Sequence, residues 1–96
     1  MAEYIYLTHP FRDDFFEQPT TEENIIMEEH FEYLKLATEN GIVVMAGPCL
    51  DNTFGVVVFR AENEDAAQAF MYADPCVKQN IMMAELHPMR ISLLAQ

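Results

Sequence analysis

Few side chains in this sequence are suited to chemistry. There are three histidines, two cysteines and five basic residues. His30 falls inside the run Met27-Glu28-Glu29-His30-Phe31-Glu32-Tyr33-Leu34, where apolar positions recur at helical spacing. An imidazole titrates near neutral pH and is the commonest general acid or base. Two readings of His30 stand on the residues alone. One is a core histidine with a ring nitrogen on a backbone carbonyl; the other is a group that moves a proton. His9 and His87 show no cysteine or carboxylate at metal-ligand spacing, so no metal site is expected.

Cys49 and Cys76 show no CxxC spacing and read as free thiols. Cys76 follows Pro75 into what reads as the first turn of a short helix, where a thiolate is favoured. A small buried thiol is the plainer reading, and a redox pair with Cys49 depends on a distance that sequence does not give. Arg12 has two readings as well: a surface ion pair with Asp13 or Asp14, or a substrate clamp.

The elements that position these groups can be read in order. Tyr4 to Thr8 is aromatic and β-branched and predicts a strand. His9 to Pro19 reads as a loop with proline at both ends. It carries Phe11, Phe15 and Phe16, so it should fold back over an apolar pocket mouth or a partner subunit. Thr20 and Glu23 form a capping box that opens the first helix. Ile26, His30, Tyr33, Leu34 and Ala37 make its inner stripe, and Asn40-Gly41 ends it.

Ile42 to Ala46 predicts a buried strand broken by Gly47-Pro48, and Phe54 to Arg60 a second strand paired with it as an antiparallel hairpin. Asn63 caps a second helix, Glu64 to Ala73, with Ala66, Ala69, Phe70 and Ala73 as its expected inner stripe. Asp74-Pro75 stops it and opens a short turn to Asn80; an aspartate before proline is a natural N-cap. The last strand is expected from Met82 to Leu94, with Pro88 marking an edge position or a bulge.

The order βαββαβ predicts an α+β, ferredoxin-like domain over residues 1–96: a four-stranded antiparallel sheet with two helices on one face. Elements alternate in direction, so His9–Pro19, Gly47-Pro48-Cys49 and Asp74-Pro75-Cys76 gather at one end, with His30 within side-chain reach of it. Gly47 and Pro48 either simply end their strand or let a ligand approach the backbone closely. Arg12, Phe15, Gly47, Pro48 and Cys76 are the expected pocket residues. The strands of the hairpin are apolar on nearly every residue, so both faces of the sheet should be covered. A second copy meeting the open face, as a homodimer, is the expected cover.

The order and spacing of several short pieces resemble the YCII-related domain family, one branch of the dimeric α/β-barrel proteins. The pieces are His30-Phe31-Glu32-Tyr33-Leu34, Gly41, Ala46-Gly47-Pro48, Asp51 with Gly55, Glu64-Asp65-Ala66, Asp74-Pro75 and the strand with Pro88. The resemblance implies a dimer and a His–Asp pair at the catalytic centre, which falls on His30 and Asp74. It also implies lyase-like chemistry, such as dehydrochlorination of a chlorinated aromatic. The chain departs from the family at Met27, where a basic residue is frequent, and in the longer loop from Phe11 to Phe16.

A net charge of −11, with no basic run, argues against duplex nucleic acid and anionic membrane as partners. The N-terminal Met1-Ala2-Glu3-Tyr4 lacks a basic start and an apolar run, and no long apolar stretch follows; a cytoplasmic protein is expected. No cofactor is expected. The functional expectation is a small enzyme moving a proton on a compact apolar or aromatic molecule. The rival is a dimeric ligand-binding or accessory module with the same pocket, and a cofactor-free oxygenase has no feature in its favour.

Overall fold

A computed structural model describes residues 1–95. Its elements are β1 (Ala2–Pro10), α1 (Thr21–Glu39), β2 (Val43–Pro48), β3 (Gly55–Ala61), α2 (Glu64–Ala73), α3 (Pro75–Lys78) and β4 (Met82–Met89). The strands form one sheet in the order β2-β3-β1-β4, every neighbouring pair antiparallel. This is the ferredoxin-like arrangement, with α3 as the short turn expected after Asp74-Pro75. No helix among the described residues is long and apolar enough to cross a membrane.

Alternation along the two central strands decides which face is covered. Tyr4, Tyr6 and Thr8 of β1 stand opposite Phe59, Val57 and Gly55 of β3. That face meets Leu34 and Ala37 of α1 and Ala67 and Met71 of α2 in the main core. Rings join there edge to face and stacked: Tyr6 on Phe59 at 5.6 Å, Phe59 on Phe70 at 4.8 Å, Tyr33 on Phe70 at 5.1 Å. Each such pair adds about 0.5–1.5 kcal/mol beyond its area. The opposite face carries Ile5, Leu7, Val56 and Val58, two of them paired directly with the other two.

Four expectations about element detail are corrected. β2 is not broken at Gly47-Pro48 but pairs through them with Val56 and Gly55, and as the sheet's edge it is largely exposed beyond Val43. β1 continues through His9 and Pro10, which pair with Met83 and Met82. The inner stripe of α2 is Ala67, Phe70 and Met71, and Ala66, Ala69 and Ala73 face solvent. Alanines occupy both faces of this helix, so the two large side chains set its rotation. The last strand ends at Met89, not Leu94, because β1 runs out: Glu3 opposite Met89 is the final pair. The chain leaves the ladder there, and the Ile91 amide donates to Glu3 Oε1 at 3.0 Å. Pro88 does sit on an edge strand, the place in a sheet where proline is tolerated.

The start of α1 is built as the sequence indicates. Glu23 N–H donates to Thr20 Oγ1 at 3.0 Å, and Thr20 N–H donates to Glu23 Oε1 at 2.9 Å. Arg12 closes on the same Glu23 carboxylate and on the Gln18 carbonyl. At the other end Asn40 caps the helix, and Gly41 takes φ +79°, a left-handed conformation that glycine adopts without a Cβ clash. The phenylalanine loop is pinned by Phe15, buried against Ile26, Cys76, Val77 and Met82.

Replacing Thr20→Ala removes one arm of the capping box and should lower unfolding free energy by about 1 kcal/mol in urea titrations. Thr20→Ser should stay close to the parent chain.

Candidate active site

Asp74 is the residue on which the site is assembled. It ends α2 and opens α3, and its carboxylate is fully buried. A buried charge needs partners, and three elements supply them. The Cys76 backbone N–H donates to Oδ1 at 3.2 Å, which is the helix-capping bond expected of an aspartate before proline. Tyr6, from the inner face of β1, donates its hydroxyl to Oδ2 at 2.6 Å. His30, from the middle of α1, places Nδ1 2.7 Å from Oδ1 and 2.9 Å from Oδ2.

The tautomer of His30 follows from this environment. An ionised carboxylate only accepts hydrogen bonds, so Nδ1 carries a hydrogen, and whenever the ring is neutral the lone pair is on Nε2. Burial would raise the Asp74 pKa, and this is the largest single influence on it. The hydrogen bond and charge of His30, then Tyr6 and Cys76, outweigh it together and hold the carboxyl below its ordinary value. Tyr6 is pushed the other way, first by burial and then by the charge of Asp74. Burial and Asp74 likewise raise the Cys76 thiol well above its usual range. Cys76 is therefore a buried neutral thiol and a poor nucleophile at neutral pH, as the plainer reading of the sequence has it.

On its other side His30 meets a cavity of about 730 Å³. Met27, His30, Phe31, Leu34, Lys35, Thr38 and Glu39 of α1 form one wall. The hairpin forms the other, with Met45 to Cys49 and Thr53 to Val57, while Thr8, Pro10, Phe16 and Met82 close the remaining side. The lining is mostly apolar, and the ring edge carrying Nε2 is the part of His30 not taken up by Asp74.

Among the expected pocket residues, Gly47 and Pro48 line this cavity and Arg12, Phe15 and Cys76 do not. Arg12 is held by Glu23 on the surface, neither paired with Asp13 or Asp14 nor clamped over the cavity. Phe15 turns into the small second core, and its neighbour Phe16 faces the cavity instead. Cys76 lies behind the His–Asp pair, its sulfur 3.3 Å from His30 Nδ1. Cys49 lines the cavity; both cysteines are free. Reasoning from sequence passed over Tyr6, although a tyrosine on the inward face of a central strand needs a buried partner for its hydroxyl. It also passed over Thr8, Met45 and Phe54.

His30, Asp74 and Cys76 bring donor atoms within 4.8 Å of one another, as a metal site would. Their spacing is that of a hydrogen-bonded pair. Two ligands at about 2.0–2.1 Å on a tetrahedral ion stand roughly 3.3 Å or more apart, whereas His30 Nδ1 and Asp74 Oδ1 are 2.7 Å apart. His87, on the exposed edge strand, has one carboxylate partner, Glu85, at 2.6 Å.

Comparison with known proteins supplies two findings. A family profile described as "YCII-related domain" matches residues 4–89. Among solved structures, a similar chain is 5-chloro-2-hydroxyhydroquinone dehydrochlorinase (TftG) from Burkholderia phenoliruptrix AC1100, in complex with 2,5-dihydroxybenzoquinone. It superimposes with a TM-score of 0.68 at 16% identity, over 91% of this chain and 93% of its own. This likeness establishes the fold. Comparison with curated proteins finds no match.

The depressed Asp74 pKa makes stability depend on pH with a definite sign. The folded value lies below that of the unfolded carboxyl, about 3.9. The contribution is therefore complete above that value and is lost as pH falls through the folded one. Asp74→Asn should be less stable than the parent by about 1–3 kcal/mol at pH 6–7, and the gap should narrow below pH 4. Urea titrations across that range measure both.

Proposed function

Since the chain belongs to the YCII-related domain family, we propose that it is a small enzyme in which His30 moves a proton on a compact, largely apolar aromatic substrate. The step is lyase- or isomerase-like. The observation that carries this reading is the pairing at the cavity wall: Nδ1 of His30 is held by a buried carboxylate, and the residue itself lines the cavity.

In that role Nε2 takes a proton from an acidic oxygen or carbon of the substrate. Asp74 fixes the ring and stabilises the imidazolium that forms, while remaining ionised itself. The electron pair left on the substrate expels a leaving group, or moves to a neighbouring atom that the imidazolium then reprotonates. An apolar enclosure favours both outcomes, because it excludes water that would compete for the proton. Dehydrochlorination of a chlorinated hydroxyhydroquinone, the reaction for which the structural neighbour is named, fits this scheme and is the first reaction to try.

We also propose that two copies meet through the sheet face opposite the helices. The support is the pair of apolar rows that Ile5, Leu7, Val56 and Val58 place there on the two central strands. A dimer closed on that face gives the central strands the second covered side that their composition calls for.

Chloride release from 5-chloro-2-hydroxyhydroquinone should be detectable with the parent protein, and His30→Gln should lower kcat/KM by about 10²–10⁴-fold. Reversible binding of the aromatic ring with no turnover across chlorinated and unchlorinated hydroquinones would leave the binding-module reading in its place. Light scattering over a dilution series should give twice the chain mass at micromolar concentration; a monomer there defeats the sheet-to-sheet dimer.

A further inference from the structure

One polar group on the cavity wall takes no part in the proton relay. Thr8 is only 4% exposed. Its side-chain oxygen has no hydrogen-bond partner among the described residues. No enclosed side-chain polar atom there lacks a partner, so this oxygen keeps its opening through the cavity that Thr8 lines. A hydroxyl that opens only into a mostly apolar cavity is a single polar point on that wall, and a ligand oxygen placed there can hydrogen-bond to it.

The residue opposite makes the opening. Thr8 is paired with Gly55 across β1 and β3. A Cβ at position 55 would stand 2.5 Å from Thr8 Oγ1, inside contact distance. Gly41 is the glycine with a positive φ, so the backbone at 55 is one that other residues adopt. The missing side chain there does one visible thing: it leaves the Thr8 hydroxyl uncovered, and Gly55 itself lines the cavity.

We propose that Thr8 and Gly55 form an oxygen-binding subsite, and that the ligand is a small ring bearing a hydroxyl or carbonyl oxygen away from the edge that His30 addresses. This rests on reading the cavity as the substrate site. Thr8 follows Tyr6 by two residues on the same face of β1, about 6.8 Å further along the strand. Tyr6 holds Asp74, and Asp74 holds His30. Thr8 is thus one pleat repeat along β1 from the tyrosine that anchors the His–Asp pair, and Thr8 and His30 line the same cavity. Leu34, Val57 and Met82 supply apolar surface beside them. A threonine hydroxyl both donates and accepts, so it serves a phenol and a quinone carbonyl alike. Thr8 is in this account a specificity-determining contact.

Calorimetric titration with 2,5-dihydroxybenzoquinone tests the subsite, using the parent chain, Thr8→Val, Thr8→Ser and Gly55→Ala, each first verified as folded by its melting curve. Thr8→Val keeps the shape and loses the hydroxyl, and should weaken binding about tenfold. Thr8→Ser keeps the hydroxyl and should bind within about twofold of the parent. Gly55→Ala covers the oxygen and should resemble Thr8→Val. The opposite order, with Val unchanged and Ser weakened, would make Thr8 a packing residue and overturn the subsite while leaving the His30 chemistry intact. Absence of binding by the parent chain overturns the subsite too. Failure of the proton chemistry has a separate signature: chloride release that His30→Gln does not diminish.

Discussion

The hydrogen bonding of one buried carboxylate organises this small protein. Asp74 is fully buried, so its charge is tolerated only because Tyr6, His30 and the Cys76 amide all point at it. These donors come from a central strand, from the middle of the long helix and from the start of a one-turn helix. Each partner is held by its own packing: Tyr6 against Phe59, His30 between Ile26 and Leu34 on the inner stripe, Cys76 within the second core. Ion and scaffold determine each other's geometry, which is the condition for a ring held firmly enough to do proton chemistry.

Much of this was legible in the sequence, and the reasons are specific. Capping signals, turn residues and the change of hydrophobic period gave the element order and hence the topology. The topology then brought the first loop, the hairpin and the Asp74-Pro75 corner to one end. Asp74 carried one local meaning, a cap before proline, and a second that the family resemblance implied, a partner for His30; its oxygens serve both. What failed to show was anything decided by rotation about an axis. In α2 alanines on several faces conceal the buried stripe until Phe70 and Met71 are placed. Between Phe15 and Phe16 nothing local says which ring enters the core and which the cavity.

Tyr6 and Thr8 illustrate a different limit. Strand alternation puts both on one face with Tyr4, and from the sequence all three read as ordinary core. Their separate roles depend on partners far along the chain: Phe59 packs against Tyr4, Asp74 accepts from Tyr6, and Gly55 lies against Thr8. Long-range pairs of this kind are a property of the register between β1 and β3, which hydrophobic pattern constrains only to within a two-residue step.

The two walls of the cavity have different structural obligations. The helix-side wall is tied through His30 to the buried charge, and substitution there disturbs the fold as well as the chemistry. Of the hairpin wall, Met45 to Pro48 belong to β2 at the sheet edge, away from that polar network, while Gly55 to Val57 belong to the central strand β3; the connecting turn is held by short local bonds such as Thr53 N–H to Asp51 Oδ1. Over evolutionary time such a division lets a lineage explore new molecules by rewriting the hairpin while its proton-handling apparatus stays fixed. Diversification within this architecture should accordingly concentrate in one β-turn and the edge strand β2 that leads into it.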